Sequence, residues 1–360
     1  MNSTMLMRTR AMTLIDVTVG LGSVTLLAAV VGATAHSMRT TSNEAISMAN
    51  LMQLGVSNAL YAWDHDGLQW SGHSSDFGLS GNNCSTYINS VGCPNQMILG
   101  WDQVGALWGY FIDSVLCPPA YPAYPGSCGN WTVYTPFNWE QDPTFGAWRM
   151  TQARSFHDYA NGRFYDPVYY APNDRLTYRR AAPLFDYPNE FVYSTSIPNQ
   201  IVFGSYGMSP AAMWNPEVFR ASSGGGFRDP SSFKESFERQ ALFSAMHADL
   251  KTLMFEVHWN QGSRARPASA FTTGEVLYNQ SADSRPISLF YDGHVWFLPN
   301  KSAIADDASL IARGLDGLWS RDTPFGVDGY FGALAADGTR TSHSVLTTDG
   351  IHGRDVLKPR

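Results

Sequence analysis

The sequence predicts an α+β protein in which a long N-terminal helix, half of it membrane-length and half amphipathic, packs on a globular head built around an antiparallel β-sheet. Three observations predict this. An uncharged run of 22 residues, Val17 to Met38, leads into helically spaced apolar residues as far as Tyr61. The chain as a whole carries 32 glycines, 20 prolines and 13% aromatic residues against only 15% charged ones, a balance typical of loop-rich β structure rather than of a helical bundle. Two runs of β-branched and aromatic residues flank Asp292-Gly293, which is the signature of a hairpin.

The helix comes first in the argument. As a helix, Val17 to Met38 reaches roughly the thickness of a bilayer core at about 1.5 Å per residue. Arg8 and Arg10 precede it and Arg39 ends it, which favours a cytoplasmic N-terminus. Beyond Arg39 the apolar residues Ile46, Ala49, Met52 or Leu54, Val56 and Leu60 recur at three- or four-residue steps, one side of an amphipathic helix expected to lie on the head. Ser42, Asn43, Asn50, Gln53 and Ser57 are expected to face water.

Within the head, Thr252 to His258, Glu275 to Tyr278, Ile287 to Tyr291 and His294 to Leu298 read as strands. Ser231 or Ser232 is placed to cap a helix running to Met246, with Glu235 in its first turn. Tyr121 to Gly126 reads as surface loop. Ser222 to Gly226 reads as a flexible loop rather than a phosphate cradle, because no Gly-Lys-Ser/Thr follows it.

At 360 residues the chain can bury one large core or two modest ones, and one head behind the helix is the simpler division. The net charge of -7 argues against nucleic acid as a partner. Removal of a leader ending at Ala11 takes Arg8 and Arg10 with it, leaving 22 basic residues against 31 acidic ones, a charge of -9. All four cysteines, Cys84, Cys93, Cys117 and Cys128, lie beyond the apolar run. An even number in an oxidising compartment fits disulfides, with three connectivities open. Neither gap offers the tight spacing that a four-thiolate zinc site wants.

Ala11-Met12-Thr13-Leu14-Ile15-Asp16 places a small residue after a short basic leader and then a carboxylate at the fifth position of a hydrophobic stretch. This resembles the cleavage and methylation motif of type IV prepilins. Met48 to Gly55 followed by Tyr61-Ala62-Trp63-Asp64-His65-Asp66-Gly67 resembles the stalk end of pseudopilin-like proteins. Ile287 to Phe297, around Asp292-Gly293-His294, is similar to the processing-associated motif near the C-terminal side of many prepilin-like proteins. The resemblance implies a type IV pilin-like fold, divided into a leader (1–11), a stalk helix (12–62) and an extracytoplasmic head (63–360).

It further implies cleavage after Ala11 by a prepilin peptidase, N-methylation of Met12, and pairing of Asp16 with the terminal amine of a neighbouring subunit. The expected role is structural rather than enzymatic: a homo-oligomeric subunit of a pilus-like filament or secretion pseudopilus. Such a subunit is held by inner-membrane assembly machinery before it reaches the cell surface. Departures from the motif are Ala11 in place of Gly, Met12 in place of Phe and Asp16 in place of Glu. Ala282 stands where the fuller C-terminal motif carries a histidine, so Asp292, Gly293 and His294 carry over as turn and packing residues.

A competing reading is a secretory signal peptide ending at Ala33-Thr34-Ala35, which would release a hydrolase or carbohydrate-binding protein starting at His36. Asp64 and Asp66 before Gly67 open like a calcium loop, and some pseudopilins bind calcium in the head. The same residues also read as a polar turn ending the helix. No local catalytic pattern is present, and His157-Asp158 and His343 with Asp349 and His352 are the polar clusters to inspect. Asn83, Asn130, Asn279 and Asn300 begin sequons for possible glycans. Trp131, Trp139, Trp148 and Trp214 are the tryptophans on which a sugar platform would rest.

Overall fold

Helix α1 runs from Leu14 to Asp64, 51 residues, or about 77 Å at 1.5 Å per residue. The computed structural model describes residues 14–73, 75, 98–105, 107–109, 146–192, 201–257, 284–327 and 343–359, and the side chains of α1 from Met38 onward. The helix stops where Asp66 and Gly67 both turn left-handed, at φ +55° and +82°. There the Gly67 amide donates to the Ala62 carbonyl at 2.8 Å, closing the last turn as a glycine C-cap does.

Four short strands form the main sheet in the order β3 (Tyr206–Met208), β4 (Thr252–Glu256), β5 (Ile287–Phe290) and β6 (Val295–Phe297), every pair antiparallel. A separate hairpin joins β1 (Ile98–Trp101) to β2 (Leu107–Gly109). Helices α2 (Arg154–His157), α3 (Arg175–Ala181) and α4 (Asn300–Ile311) complete the regular elements. Asp174 caps α3 by accepting from the Thr177 amide, satisfying one of the free donors at a helix start.

Strand alternation divides the sheet's contacts. Tyr206, Glu256 and Leu289 reach α1, whereas Phe255 stacks on Trp148 with ring centroids 5.9 Å apart. A Cβ on Gly207 would lie 2.8 Å from both Trp148 and Val257, so only glycine lets β3 approach so closely. One hydrophobic cluster runs from Leu51, Leu54 and Tyr61 of α1 through Trp70, Trp148, Tyr206, Phe255 and Leu289 to Ile351.

Three expectations need correction. The α+β class and the antiparallel sheet stand, but among the described residues no helix is long and apolar enough to cross a membrane. From Met38 onward, where its side chains are described, α1 lies on the head and buries Ser47, Ser57 and Asn58 beside its leucines. The membrane half of the expected stalk, and with it the expected passage from the inner membrane to the cell surface, is therefore withdrawn.

The expected helix from Ser231 to Met246 is instead three single 3-10 turns, Pro230–Ser232, Lys234–Phe237 and Leu242–Ser244. The backbone between them is committed elsewhere: Gln240 O accepts from Gln69 N, and Leu242 N donates to Gly67 O. This segment straps the end of α1 and cannot also bond to itself as a helix.

The third correction concerns the face of α1 that meets the head. Ser47, Leu51, Leu54, Ser57, Asn58, Tyr61 and Ala62 are buried. Of the stripe expected to pack on it, Ile46, Ala49, Met52, Val56 and Leu60 point to solvent, and only Leu54, the alternative to Met52, faces the head, while Ser57, expected to face water, is buried.

Candidate functional site on helix α1

The inner face of α1 holds the sheet through a polar clasp. Ser47 Oγ donates to Glu256 Oε1 at 2.7 Å and lies 2.8 Å from the Tyr206 hydroxyl. The second oxygen of Glu256 accepts from the Ile287 amide at 3.1 Å. Asn50 Nδ2 reaches the carbonyls of Pro167 and Tyr170, each at 3.3 Å. Asn43 donates to Asn173 at 2.8 Å, and Arg285 pairs with Glu44 at 3.0 Å. Gly55 sits over Leu289, whose Cδ2 lies 2.8 Å from where a Cβ would stand, so the helix closes tightly on β5.

Glu256 is fully buried, and burial pushes its carboxyl up to about 7; the bonds from Ile287 and Ser47 pull the other way, while Asp174 and Glu44 add to the rise. Burial likewise raises the Tyr206 hydroxyl, with Glu256 beside it. The clasp is therefore most favourable with a neutral acid at its centre, a donor-acceptor network rather than an ion pair.

The outer face is the reverse. No charged residue occurs from Ala45 to Trp63, and Met52, Val56, Leu60 and Trp63 are 56%, 60%, 52% and 86% exposed. These positions recur at helical spacing and so form one stripe. At its end a groove of about 440 Å³ opens between Trp63 and Phe243, floored by Ala59, Ala62 and Tyr291. A helix apolar on both sides asks for cover on both sides, and among the described residues the head supplies only one.

A second polar cluster has the look of catalytic chemistry. Lys251 Nζ lies 2.8 Å from Ser209 Oγ, the pairing of a serine nucleophile with a lysine base. Its ammonium, however, also donates to Thr347 at 2.9 Å and Asp355 at 3.0 Å, leaving no lone pair to receive the serine proton. Ser209 gives that proton to the Ser344 carbonyl. All four side chains are sealed from solvent.

Asp355 also accepts from the amides of Thr252 and Ser344 and the hydroxyl of Thr347. Burial raises its carboxyl, but the Lys251 charge and these bonds outweigh that and hold it below the usual range. Burial lowers Lys251 against the pull of Asp355. The cluster pins the C-terminal segment to the start of β4.

The other residues singled out by the sequence fall as follows. Ala11, Met12, Cys84, Cys93, Cys117 and Cys128 lie outside the described residues, and Asp16 lies in α1 where side chains are not described. Asp292, Gly293 and His294 form the β5–β6 turn: Gly293 is left-handed at φ +90°, Asp292 Oδ1 accepts from the His294 amide at 3.1 Å and pairs with its ring at 2.6 Å, and that ring stacks on Phe290. Asp64 and Asp66 end α1 and belong to no group of three metal-capable side chains among the described residues; the group found there is His157, Asp158 and Glu190.

The amides of Ala221, Ser222 and Phe227, around the glycine loop, already bond the carboxylates of Asp349, Asp316 and Asp322. Trp148 and Trp214 are core residues, and Asn300 is buried at the start of α4, so none of the three offers a sugar platform or a glycan acceptor. Trp131, Trp139 and the other sequons lie outside the described residues.

Comparison with protein families, with characterised proteins and with solved structures finds no match to this chain.

Proposed function

We propose that this chain is a structural subunit that assembles with copies of itself through α1, in a type IV pilus-like filament or a secretion pseudopilus. The observation that carries the reading is the outward apolar stripe of α1, Met52, Val56, Leu60 and Trp63. A stripe strong enough to be legible in the sequence is left uncovered by the described residues of the head. Contiguous exposed apolar surface of this kind marks an interface, and an uncharged helix face is matched best by another like it.

The resemblance of Ala11 to Asp16 to a prepilin processing site supports the same reading. In this account a prepilin-type peptidase cuts after Ala11, and Asp16 of one subunit meets the terminal amine of Met12 in the next. Intact mass and N-terminal sequencing of the native protein test it. A start at methylated Met12 is expected. A start at His36 would remove more than two fifths of the helix, Leu14 to Ala35, and favour the secreted hydrolase or carbohydrate-binding alternative.

A further inference from the structure

The outward stripe of α1 is uncharged, but its two ends are not. Arg39 is exposed. One turn on, Asn43 donates to Asn173 at 2.8 Å, which brings the start of α3 up beside the helix with Arg175, Arg179 and Arg180, all exposed. The neighbouring Glu44 meets Arg285 at 3.0 Å, a side chain 56% exposed. Two carboxylates at this end are already engaged, Glu44 by Arg285 and the buried Asp174 by the Thr177 amide and the Ser205 hydroxyl. The result is a collar of arginines beside α1.

The other end is acidic. Asp64 and Asp66 close α1, both exposed. Ala248, in the wall of the groove beside Trp63, accepts from the Asp292 amide at 3.0 Å and is followed in the chain by Asp249; both aspartates are exposed. Of the basic side chains here, Arg239 bonds the Tyr61 hydroxyl at 2.6 Å, His65 the Tyr61 carbonyl at 2.8 Å and His294 pairs with Asp292 at 2.6 Å. Along α1, Arg39 and Asp64 stand about 38 Å apart at 1.5 Å per residue.

We propose that the arginine collar of one copy docks on the acidic end of a second copy, head to tail along α1. The inference rests on the reading of this chain as a self-assembling subunit and adds the direction and spacing of one contact. Opposite ends of the molecule meet, a heterologous contact that repeats without closing. Parallel copies in register would set arginine beside arginine and aspartate beside aspartate, which repel. Antiparallel copies would pair the charges but close into a two-fold dimer, and the uncharged run from Val17 to Met38 of each would project past the end of the other's α1.

Arg39 stands midway between Leu14 and Asp64, the ends of α1. A parallel copy displaced by half the helix, about 38 Å, therefore sets its collar at the neighbour's acidic end. The same displacement lays its Val17–Met38 run along the neighbour's outward stripe. A helical assembly gives each subunit several neighbours, and this displacement defines one of them.

Charge reversal in the full-length chain tests the docking. Arg175→Glu/Arg179→Glu reverses the collar and Asp64→Lys/Asp249→Lys the acidic end, all at exposed positions. In sedimentation assays each variant alone should need a concentration at least about tenfold above the parent's to assemble. An equal mixture of the two should assemble near the parent's concentration, because each offers the sign the other lacks. With the charges left as they are, benzoylphenylalanine in place of Trp63, which is 86% exposed, should link on illumination to Met38–Asn43 or α3 of the neighbouring copy, read by peptide mass mapping. Assemblies indifferent to both reversals, a mixture no better than its parts, or links only to the neighbour's own Trp63 region overturn the docking while assembly through the stripe stands. A parent that does not assemble overturns both.

Discussion

Glu256 gives the most quantitative consequence of the way α1 is held. Its carboxyl ionises near 7 in the folded chain against an ordinary value of 4.5. At about 1.4 kcal/mol per pH unit, that difference amounts to about 3 kcal/mol of folding stability. Because the folded-state value is raised, the contribution is fully present below pH 4.5 and is lost as the pH rises through 7.

Total stability will not show this directly. His343, whose ring burial holds down to about 4, contributes in the opposite sense across pH 4 to 6.5, since its unfolded form binds the extra proton. The difference between the parent and Glu256→Gln removes His343 from the comparison. Glutamine keeps an acceptor for the Ile287 amide and offers Ser47 a donor, but it never ionises.

Urea unfolding of both proteins at steps from pH 4.5 to 8 is the assay. The advantage of Glu256→Gln over the parent should grow by about 3 kcal/mol across that range, most steeply between about pH 5 and 6.5 and levelling off above about 7.5. A difference that stays flat with pH would falsify the claim that a neutral acid sits at the centre of the clasp.

Two further outcomes concern the head. Lys251→Met strands the Asp355 carboxylate in a sealed site and should cost about 3–5 kcal/mol, with Lys251→Met/Asp355→Leu recovering most of it; equilibrium denaturation of the three proteins checks this. Gly207→Ala must push a methyl against Trp148 and Val257 and should lower stability by about 1–3 kcal/mol, read from the same denaturation curves.

What was legible in the sequence follows from how each element is held. β4, β5 and β6 announce themselves through β-branched and aromatic runs and the Asp-Gly turn, because local preference and tertiary role agree. β3, only Tyr206-Gly207-Met208, has too few residues to show a period, and its central glycine answers a contact with Trp148 that no local pattern encodes. The turns from Pro230 to Ser244 read as a helix because Ser231 or Ser232 followed by Glu235 makes a helix-start signal, while the backbone bonds that decide the matter go to residues far back in the chain.

Helix α1 was legible as a helix but not in its orientation. Hydrophobicity selected the Ile46 to Leu60 stripe, whereas the head recruits the face with Ser47, Ser57 and Asn58, whose partners become visible only once Glu256, Tyr206 and Trp70 are placed beside it. The Lys251–Asp355 pin and the bond from His157 Nε2 to the Leu99 carbonyl join residues or backbone groups distant in sequence, with no motif to mark them. His157-Asp158 was noticeable only as an adjacent pair.

The central claim is that the outward stripe of α1 is an assembly surface, and electron microscopy of the purified full-length chain beside its Val56→Glu variant tests it most directly. Val56 is 60% exposed, so a carboxylate there is tolerated by the lone subunit and penalised only where a neighbour's apolar helix must cover it. The account predicts filaments from the parent and dispersed, folded subunits from the variant. Filaments formed equally by both, or by neither, would contradict it.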